Sequence, residues 1–454
     1  MKIALTGGTG LVGNALGKKL TDLGHSLIVY SRRPESARAD LCFPCEIFPW
    51  NGEGLPPAES LPGLDAFIHL AGESIADGRW TGARKKALRD SRVRPLENLK
   101  KAFKNSPPPK VMISASAVGY YGDRGDEVLR ESAAPGQDFL GELCAEWESA
   151  AREVPAQRHV QVRIGVVLAP QGGFLKTVVP MFVAFGASRL GSGRQWTSWI
   201  HIDDLVQVFV KALEDPKLNG PINAVSPNPV TNSELTQTLK ETLHAPWGPP
   251  APALGLRAIY GNMADILLGS QRVQPGVLSK IGFKWRHAQF KSALEEIYPS
   301  LRSGEMQLVF EQWLERTPEE IWPFFCDEKN LEILTPKHLS FNVLGKNTDQ
   351  IGMNTLINYQ IKLRGIPMNW TSRIGEWDPP REFSDEQVKG PYKSWHHSHR
   401  FKPLAGGTLM TDVIRFRVPG GWPGRLVGLM QVKKEVETIF SFRAKAIKET
   451  FCSR

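Results

Sequence analysis

Three glycines at fixed spacing open the chain: Gly7, Gly10 and Gly13, within Thr6-Gly7-Gly8-Thr9-Gly10-Leu11-Val12-Gly13. That pattern suits one chemistry. A pyrophosphate needs bare backbone N–H groups at a helix N-terminus, and a side chain would hold it off. Thr9 and Leu11 belong to the same turn. Further on, Ser31-Arg32-Arg33 stands where binders of NAD place a carboxylate for the ribose 2′-hydroxyl. A hydroxyl and two guanidiniums suit a 2′-phosphate instead. The expected cofactor is therefore NADP(H), with NAD(H) the alternative; the bland reading of Arg32 and Arg33 is a solvated charged face. Two other groups invite metal or redox chemistry. Cys42-Phe43-Pro44-Cys45 is a single C-x-x-C without a second pair, and it reads as a loop. His396, His397 and His399 lie close together, and strand alternation puts His397 and His399 on one face and His396 on the other. A metal would need further ligands, so the sequence assigns none.

The elements around the glycine turn fit its use. Residues 2–5 form an apolar run, Leu11, Ala15, Leu16 and Leu20 share a helical face, Gly24 ends the helix, and a second apolar run ends at Tyr30. This is the strand, turn, helix, strand unit that a dinucleotide fingerprint requires. Strand and helix signals keep alternating: strands at 66–72, 111–116 and 160–168, helices at 85–103 and 139–151. Such alternation predicts a parallel sheet covered on both faces. From 170 to about 300 the pattern is mixed, as for a small C-terminal substrate-side lobe. The character changes near residue 303. Residues 306–314 alternate like a strand, and Thr317-Pro318-Glu319-Glu320 is a helix start with a capping box. Strand-like segments follow to about 418, and a long helix is predicted over 426–449. The expected architecture is an α/β Rossmann-fold parallel sheet over 1–298, its lobe mainly within 170–298, followed by an α+β domain over 305–454.

Composition narrows the class. The chain has 454 residues, 41% hydrophobic and 23% charged, enough for two or three globular domains. No apolar run approaches a membrane span, and the chain starts directly in a strand, so a cytoplasmic protein is the default expectation. Five cysteines do not make a disulfide framework. The net charge of +9 is dispersed and not interleaved with aromatics, which argues against nucleic acid as a partner.

Residues 6–13, 31–34, 69–75 (H-L-A-G-E-S-I), 118–123 (V-G-Y-Y-G-D), 163–168, 199–204 (W-I-H-I-D-D) and 225–232 resemble an atypical extended short-chain dehydrogenase/reductase, in the epimerase/dehydratase-like subgroup often called "epimerase family protein". The resemblance covers almost all of 1–298. It implies that Ala71, Gly72 and Glu73 pass the cofactor ribose, and it adds Arg79 and Arg163 as cofactor contacts. Arg163 also stands in an otherwise apolar strand and needs an anionic or carbonyl partner, so a structural salt bridge is its other reading. The family's proton relay is altered. Ser116 occupies the Ser position, but Y-x-x-x-K is absent: Asp138 or Phe139 falls where Tyr belongs and Glu142 where Lys belongs. Three assignments stay open: Tyr120 or Tyr121 supplies the acid, a carboxylate such as Glu142 or Asp138 does, or the domain binds NADP(H) without this chemistry. His201 is read as structural, with Asp203 capping the helix that follows.

Residues 318–325 (P-x-E-x-I-W-x-F-F), 385–392, 395–401, 406–413 and the terminal helix resemble the SRPBCC superfamily, the START/Bet v 1-like helix-grip fold. The resemblance implies an elongated cavity and an apolar, lipid-like ligand. Trp313, Trp322, Phe324, Phe325, Trp370, Trp377 and Trp395 supply apolar surface for it, or simply for a core. Two functions follow: an NADP-dependent oxidoreductase or epimerase acting on a small-molecule substrate, or a catalytically atypical sensor that binds without turnover.

Overall fold

The computed structural model describes residues 1–451 except 171, 300, 302–303 and 364–365. The expected boundary near 303 therefore falls outside the described residues. Lys2–Thr6, Ser26–Ser31, Glu46–Pro49, Ala66–His69, Val111–Ala117, Arg158–Ile164 and Gly220–Ala224 form one seven-stranded sheet, every pairing parallel. In space the first strand lies between the second and the fourth. The chain runs from it outward to the second and third strands on one side, then crosses to the fourth on the other, which makes the carboxyl end of Lys2–Thr6 a topological switch point, the place where such sheets bind ligands.

The helices are built as their sequences ask. Leu11–Asp22 buries Leu16 and Leu20 against the sheet and ends before Gly24, which takes φ +79°. Gly82–Ala102 is capped by the Thr81 side chain and Phe139–Glu153 by Asp138, which accepts from the Gly141 amide at 2.8 Å. Two expectations are corrected. The run 160–168 is two strands. It breaks at Gly165, where a Cβ would sit 2.8 Å from the Ser198 carbonyl oxygen, and Val166–Leu168 leaves the sheet to pair with Trp199–His201. Asp203 does not cap the next helix, Ile202–Glu214. His201 does, its Nδ1 accepting from the Asp203 amide at 3.2 Å.

Met306–Leu314, Asn342–Lys346, Leu356–Leu363, Ile366–Asp378, Glu382–Lys389, Ser394–Leu404 and Gly407–Arg417 form a second seven-stranded sheet, antiparallel throughout. The capping box is present: Thr317 Oγ1 accepts from the Glu320 amide and Glu320 accepts from the Thr317 amide at 2.7 Å. The terminal helix begins earlier than predicted. Gly421–Val427 runs through a π turn, Gly428–Val432, into Lys433–Phe451. Its Val436, Phe440 and Ile447 are buried. Val436 and Phe440 belong to a core that continues into the first domain through Leu168, Leu175 and Val179. Lys18 reaches Glu311 of the second sheet at 2.6 Å, so an ion pair also joins the two units.

Candidate functional site

The glycine turn and the end of the fourth strand close on each other. Gly7 takes φ +73°, and a Cβ there would lie 2.9 Å from the Ala71 amide nitrogen. Thr6 Oγ1 meets His69 Nδ1 at 2.8 Å and accepts from the Ala71 amide at 3.3 Å, which ties the two strand ends together. Gly13 lies under the turn: a Cβ there would fall 2.2 Å from the Gly7 carbonyl oxygen. The helix begins at Leu11 with no side-chain cap and no acidic residue in its first turn. Its N–H groups and positive dipole end face the turn without competition.

A groove of about 560 Å³ opens there. Gly7, Thr9, Gly10, Ser31, Arg32, Ala71, Gly72 and Glu73 all line it. Leu11 and Gly13 sit in the helix start behind it. Arg33 and Ser36 join Arg32 along one wall. The Arg32 guanidinium is 72% exposed and 3.2 Å from Glu73, a solvated pair that a phosphate can compete for. The sequence reading missed two supports. Ser91 Oγ accepts from the Glu73 amide at 3.0 Å, and Arg92 donates to the Glu73 carbonyl at 2.9 Å. Arg92 is a long cation inside a helix whose spacing turns it inward, a signal that alone does not name its partner. An uncapped helix start and a glycine floor fit a dinucleotide pyrophosphate, and a cationic wall borders them.

The residues weighed for proton transfer are not in this groove. Ser116 Oγ donates to Glu148 Oε1 at 2.8 Å. The Arg163 guanidinium donates to both Glu148 oxygens, at 2.8 and 2.9 Å, and to Tyr121 Oη and the Glu131 carbonyl, each at 3.0 Å. Tyr121 Oη in turn donates to Asn223 Oδ1 at 2.6 Å. Arg163 and Glu148 side chains are 3% and 2% exposed. Arg163 thus has the anionic partner its apolar strand demanded: four donated bonds, two of them to Glu148, hold the guanidinium inside the fold. Tyr121 is fully buried, and burial pushes its phenol up to about 12 despite Arg163. Ser116 and Tyr121 are thus joined through Glu148 and Arg163, not to each other. Glu142 is exposed in the first turn of its helix, and Asp138 is spent on the cap. Tyr120 is half-buried, with the Arg163 guanidinium 3.5 Å over its ring. Arg79 is exposed and donates to the Ala258 and Ile259 carbonyls of the lobe, at 2.8 and 3.1 Å. That contact ties the loop after the fourth strand to the lobe. Glu148 was missed by sequence, although Gly141, Cys144, Glu148 and Ala151 share the buried face of one helix.

The second domain encloses its own cavity, about 190 Å³, between the sheet and the terminal helix. Phe324, Phe325, Trp370, Trp395 and Phe440 line it. Trp322 and Trp377 instead pack on Phe383 in the core, and Trp313 donates to the Leu404 carbonyl at 3.0 Å. His397 and His399 point inward together, as alternation predicted. The Cys42–Cys45 segment is loop, both thiols are free, and burial pushes both up to about 12.

A doubly wound parallel sheet with a glycine turn at its switch point defines a dinucleotide-binding Rossmann domain, here joined to a helix-grip domain. The chain belongs to the NAD dependent epimerase/dehydratase family, whose model matches residues 3–224. Residues 251–297 match a domain of unknown function, and residues 314–438 match the family described as polyketide cyclase/dehydrase and lipid transport. An epimerase family protein of Mycobacterium bovis is 39% identical over 309 residues, covering 66% of this chain and 98% of that one. The human epimerase family protein SDR39U1, solved with NADPH, superposes with a TM-score of 0.59 at 32% identity, covering 66% of this chain and 100% of that chain. A nucleoside-diphosphate sugar epimerase from Corynebacterium glutamicum superposes with a TM-score of 0.54 at 34% identity, covering 67% of this chain and 59% of that one. Among the described residues no helix is long and apolar enough to cross a membrane.

Proposed function

We propose that the first domain binds NADP(H) and that the chain is an NADP-dependent oxidoreductase of the epimerase type, its helix-grip domain holding an apolar ligand. One observation carries the reading: Ser31, Arg32 and Arg33 line the same groove as the glycine turn and Ala71–Glu73. Gly7, Thr9 and Gly10 would hold the pyrophosphate on backbone N–H groups, Ser31 and Arg32 the 2′-phosphate, and Ala71, Gly72 and Glu73 the ribose. The human relative solved with NADPH supports this choice over NAD(H). The chemistry such a cofactor brings when bound is hydride transfer. Of the phenols and carboxylates considered for the accompanying proton, Tyr120 is the half-buried phenol that the Glu148–Arg163–Asn223 hydrogen bonds leave out. Ser116 and Tyr121 serve instead as scaffold, with their hydroxyls consumed by Glu148, Arg163 and Asn223.

The buried Ser116–Glu148–Arg163–Tyr121 network gives a second reading its force: a domain that binds NADP(H) without the short-chain reductase relay. Fluorescence titration of the purified chain with NADPH and NADH tests the cofactor reading, and NADPH is expected to bind at least about tenfold tighter, or about 1.4 kcal/mol. Equal affinities would remove it. Single-turnover oxidation of bound NADPH by candidate carbonyl compounds, compared between wild type and Tyr120→Phe, separates the two readings. Turnover lost in Tyr120→Phe supports the enzyme, and unaltered turnover excludes Tyr120.

A further inference from the structure

The floor of the helix-grip cavity is polar, whereas most of its wall is aromatic and aliphatic. His397 and His399 project from one strand. Asp385 stands opposite His397 on the neighbouring strand on one side, and Asp412 stands opposite His399 on the other. The four side chains make a two-sided arrangement. On one side, His397 Nδ1 and His399 Nε2 lie 3.3 and 3.6 Å from Asp385 Oδ2. On the other, His397 Nε2 and His399 Nδ1 lie 2.9 and 2.7 Å from Asp412 Oδ1. The two faces differ in access. Asp385, His397 and His399 line the cavity, and Asp412 does not.

We propose that Asp385, His397 and His399 form a three-ligand site for a first-row divalent cation on the cavity floor, with Asp412 holding the His397 imidazole from behind. The inference does not rest on the dinucleotide reading. The three ligand atoms lie within 4.8 Å of one another. Bonds of about 2.1 Å place tetrahedral ligands about 3.4 Å apart, close to the separations measured from Asp385. A histidine that ligates through one nitrogen almost always gives its other N–H to a carboxylate or carbonyl, which fixes tautomer and ring orientation. Asp412 does this for His397, whose Nε2 lies 2.9 Å from its Oδ1 in hydrogen-bond geometry, while His399 Nδ1 is near the same oxygen without that alignment. The rings are also held sterically: His399 stacks on Phe383 with centroids 4.1 Å apart, and His397 meets the Phe440 ring edge-on at 5.1 Å.

Two histidines and one carboxylate leave coordination positions open, the pattern of catalytic rather than closed structural sites. Here the open side faces the apolar cavity. Arg443 lines the same cavity, is 9% exposed, and its Nε has no hydrogen-bond partner among the described residues. The site therefore fits a ligand with an apolar body and an oxygen head, carboxylate or carbonyl, shared between the cation and Arg443.

The test uses the full chain, stripped with chelator and reloaded with Co²⁺ or Zn²⁺. Metal per chain is measured by mass spectrometry, and ligand geometry by the visible d–d bands of Co²⁺. One equivalent is expected, with Co²⁺ bands in the wild type. Binding should be lost in His399→Ala and Asp385→Asn and weakened roughly 10–100-fold in Asp412→Asn. His396→Ala should be silent, because His396 lies on the other strand face. His201→Ala should also be silent; it addresses the other cluster with ligand spacing, His201, Asp203 and His287. Should the histidine variants misfold by circular dichroism, the near-isosteric Asp385→Asn decides: Zn²⁺ must raise the Tm of wild type and not of that variant. Less than about a tenth of an equivalent in wild type, binding unchanged in Asp385→Asn, or binding lost only in His201→Ala would each overturn the proposal.

Discussion

Replacing Arg163 with Met separates its two readings. The side chain is 3% exposed, and the substitution keeps much of its length while removing four donated hydrogen bonds, two to Glu148 and one each to Tyr121 and the Glu131 carbonyl. Glu148 would remain 2% exposed with Ser116 as its nearest donor and the exposed Arg152 at 3.8 Å. Removing one partner of a buried pair costs about 3–5 kcal/mol, because the other charge stays desolvated. In a domain of this size that lowers Tm by on the order of 10 °C. Adding Glu148→Leu should restore much of the loss, since an apolar pair replaces a buried ionic one at little cost. Differential scanning calorimetry reads the stabilities, and NADPH titration of each variant reads the site. A large loss of Tm with little change in NADPH affinity is expected. A variant with near wild-type Tm and NADPH binding weakened tenfold would refute it and return Arg163 to the cofactor.

Three further outcomes are expected. Gly13→Ala should weaken NADPH binding by two orders of magnitude or more with circular dichroism largely retained, since the added Cβ would fall 2.2 Å from the Gly7 carbonyl and must displace the turn; retained binding would show that the turn can move freely. Tyr121→Phe should cost about 1–3 kcal/mol in urea unfolding by leaving Asn223 and Arg163 each short of a partner, and a neutral result would mean that the network repairs itself. His69 is fully buried, and burial pushes its imidazole down to about 4. The unfolded chain, titrating near about 6.5, takes up that proton first. Stability should therefore fall as pH drops from about 6.5 to about 4, by roughly 3 kcal/mol, and stay level above that window. His69→Gln should flatten this limb of the pH–stability curve, and an unchanged slope would assign it elsewhere.

The first domain was legible because its signals are local. Turn glycines, helix periodicity and the charges of Ser31–Arg33 all act within a few residues of where they stand. The strand break at Gly165 was not legible, because the Ser198 carbonyl that forbids a side chain arrives from a distant segment. The fate of Arg163 was half legible. An arginine in an apolar strand demanded a partner, but only the folded helix brings Glu148 to it. Face alternation foretold that His397 and His399 point the same way. Strand order, set by pairing over the whole sheet, brought Asp385 to one side of the two histidines and Asp412 to the other, carboxylates that the local sequence does not place there. The first turns of the terminal helix, Gly421–Val427, were not legible because Gly421, Pro423 and Gly424 are not residues that signal a helix.

The central claim is that Ser31, Arg32 and Arg33 give this groove its preference for a 2′-phosphate. The direct measurement is the ratio of NADPH to NADH dissociation constants, taken by calorimetry at fixed ionic strength for the wild type and for Arg32→Ser/Arg33→Ser. The wild type should favour NADPH by at least about tenfold, and the double variant should bring the ratio close to one by weakening NADPH while leaving NADH nearly unchanged. A ratio near one in the wild type, or one that survives in the double variant, would contradict the account.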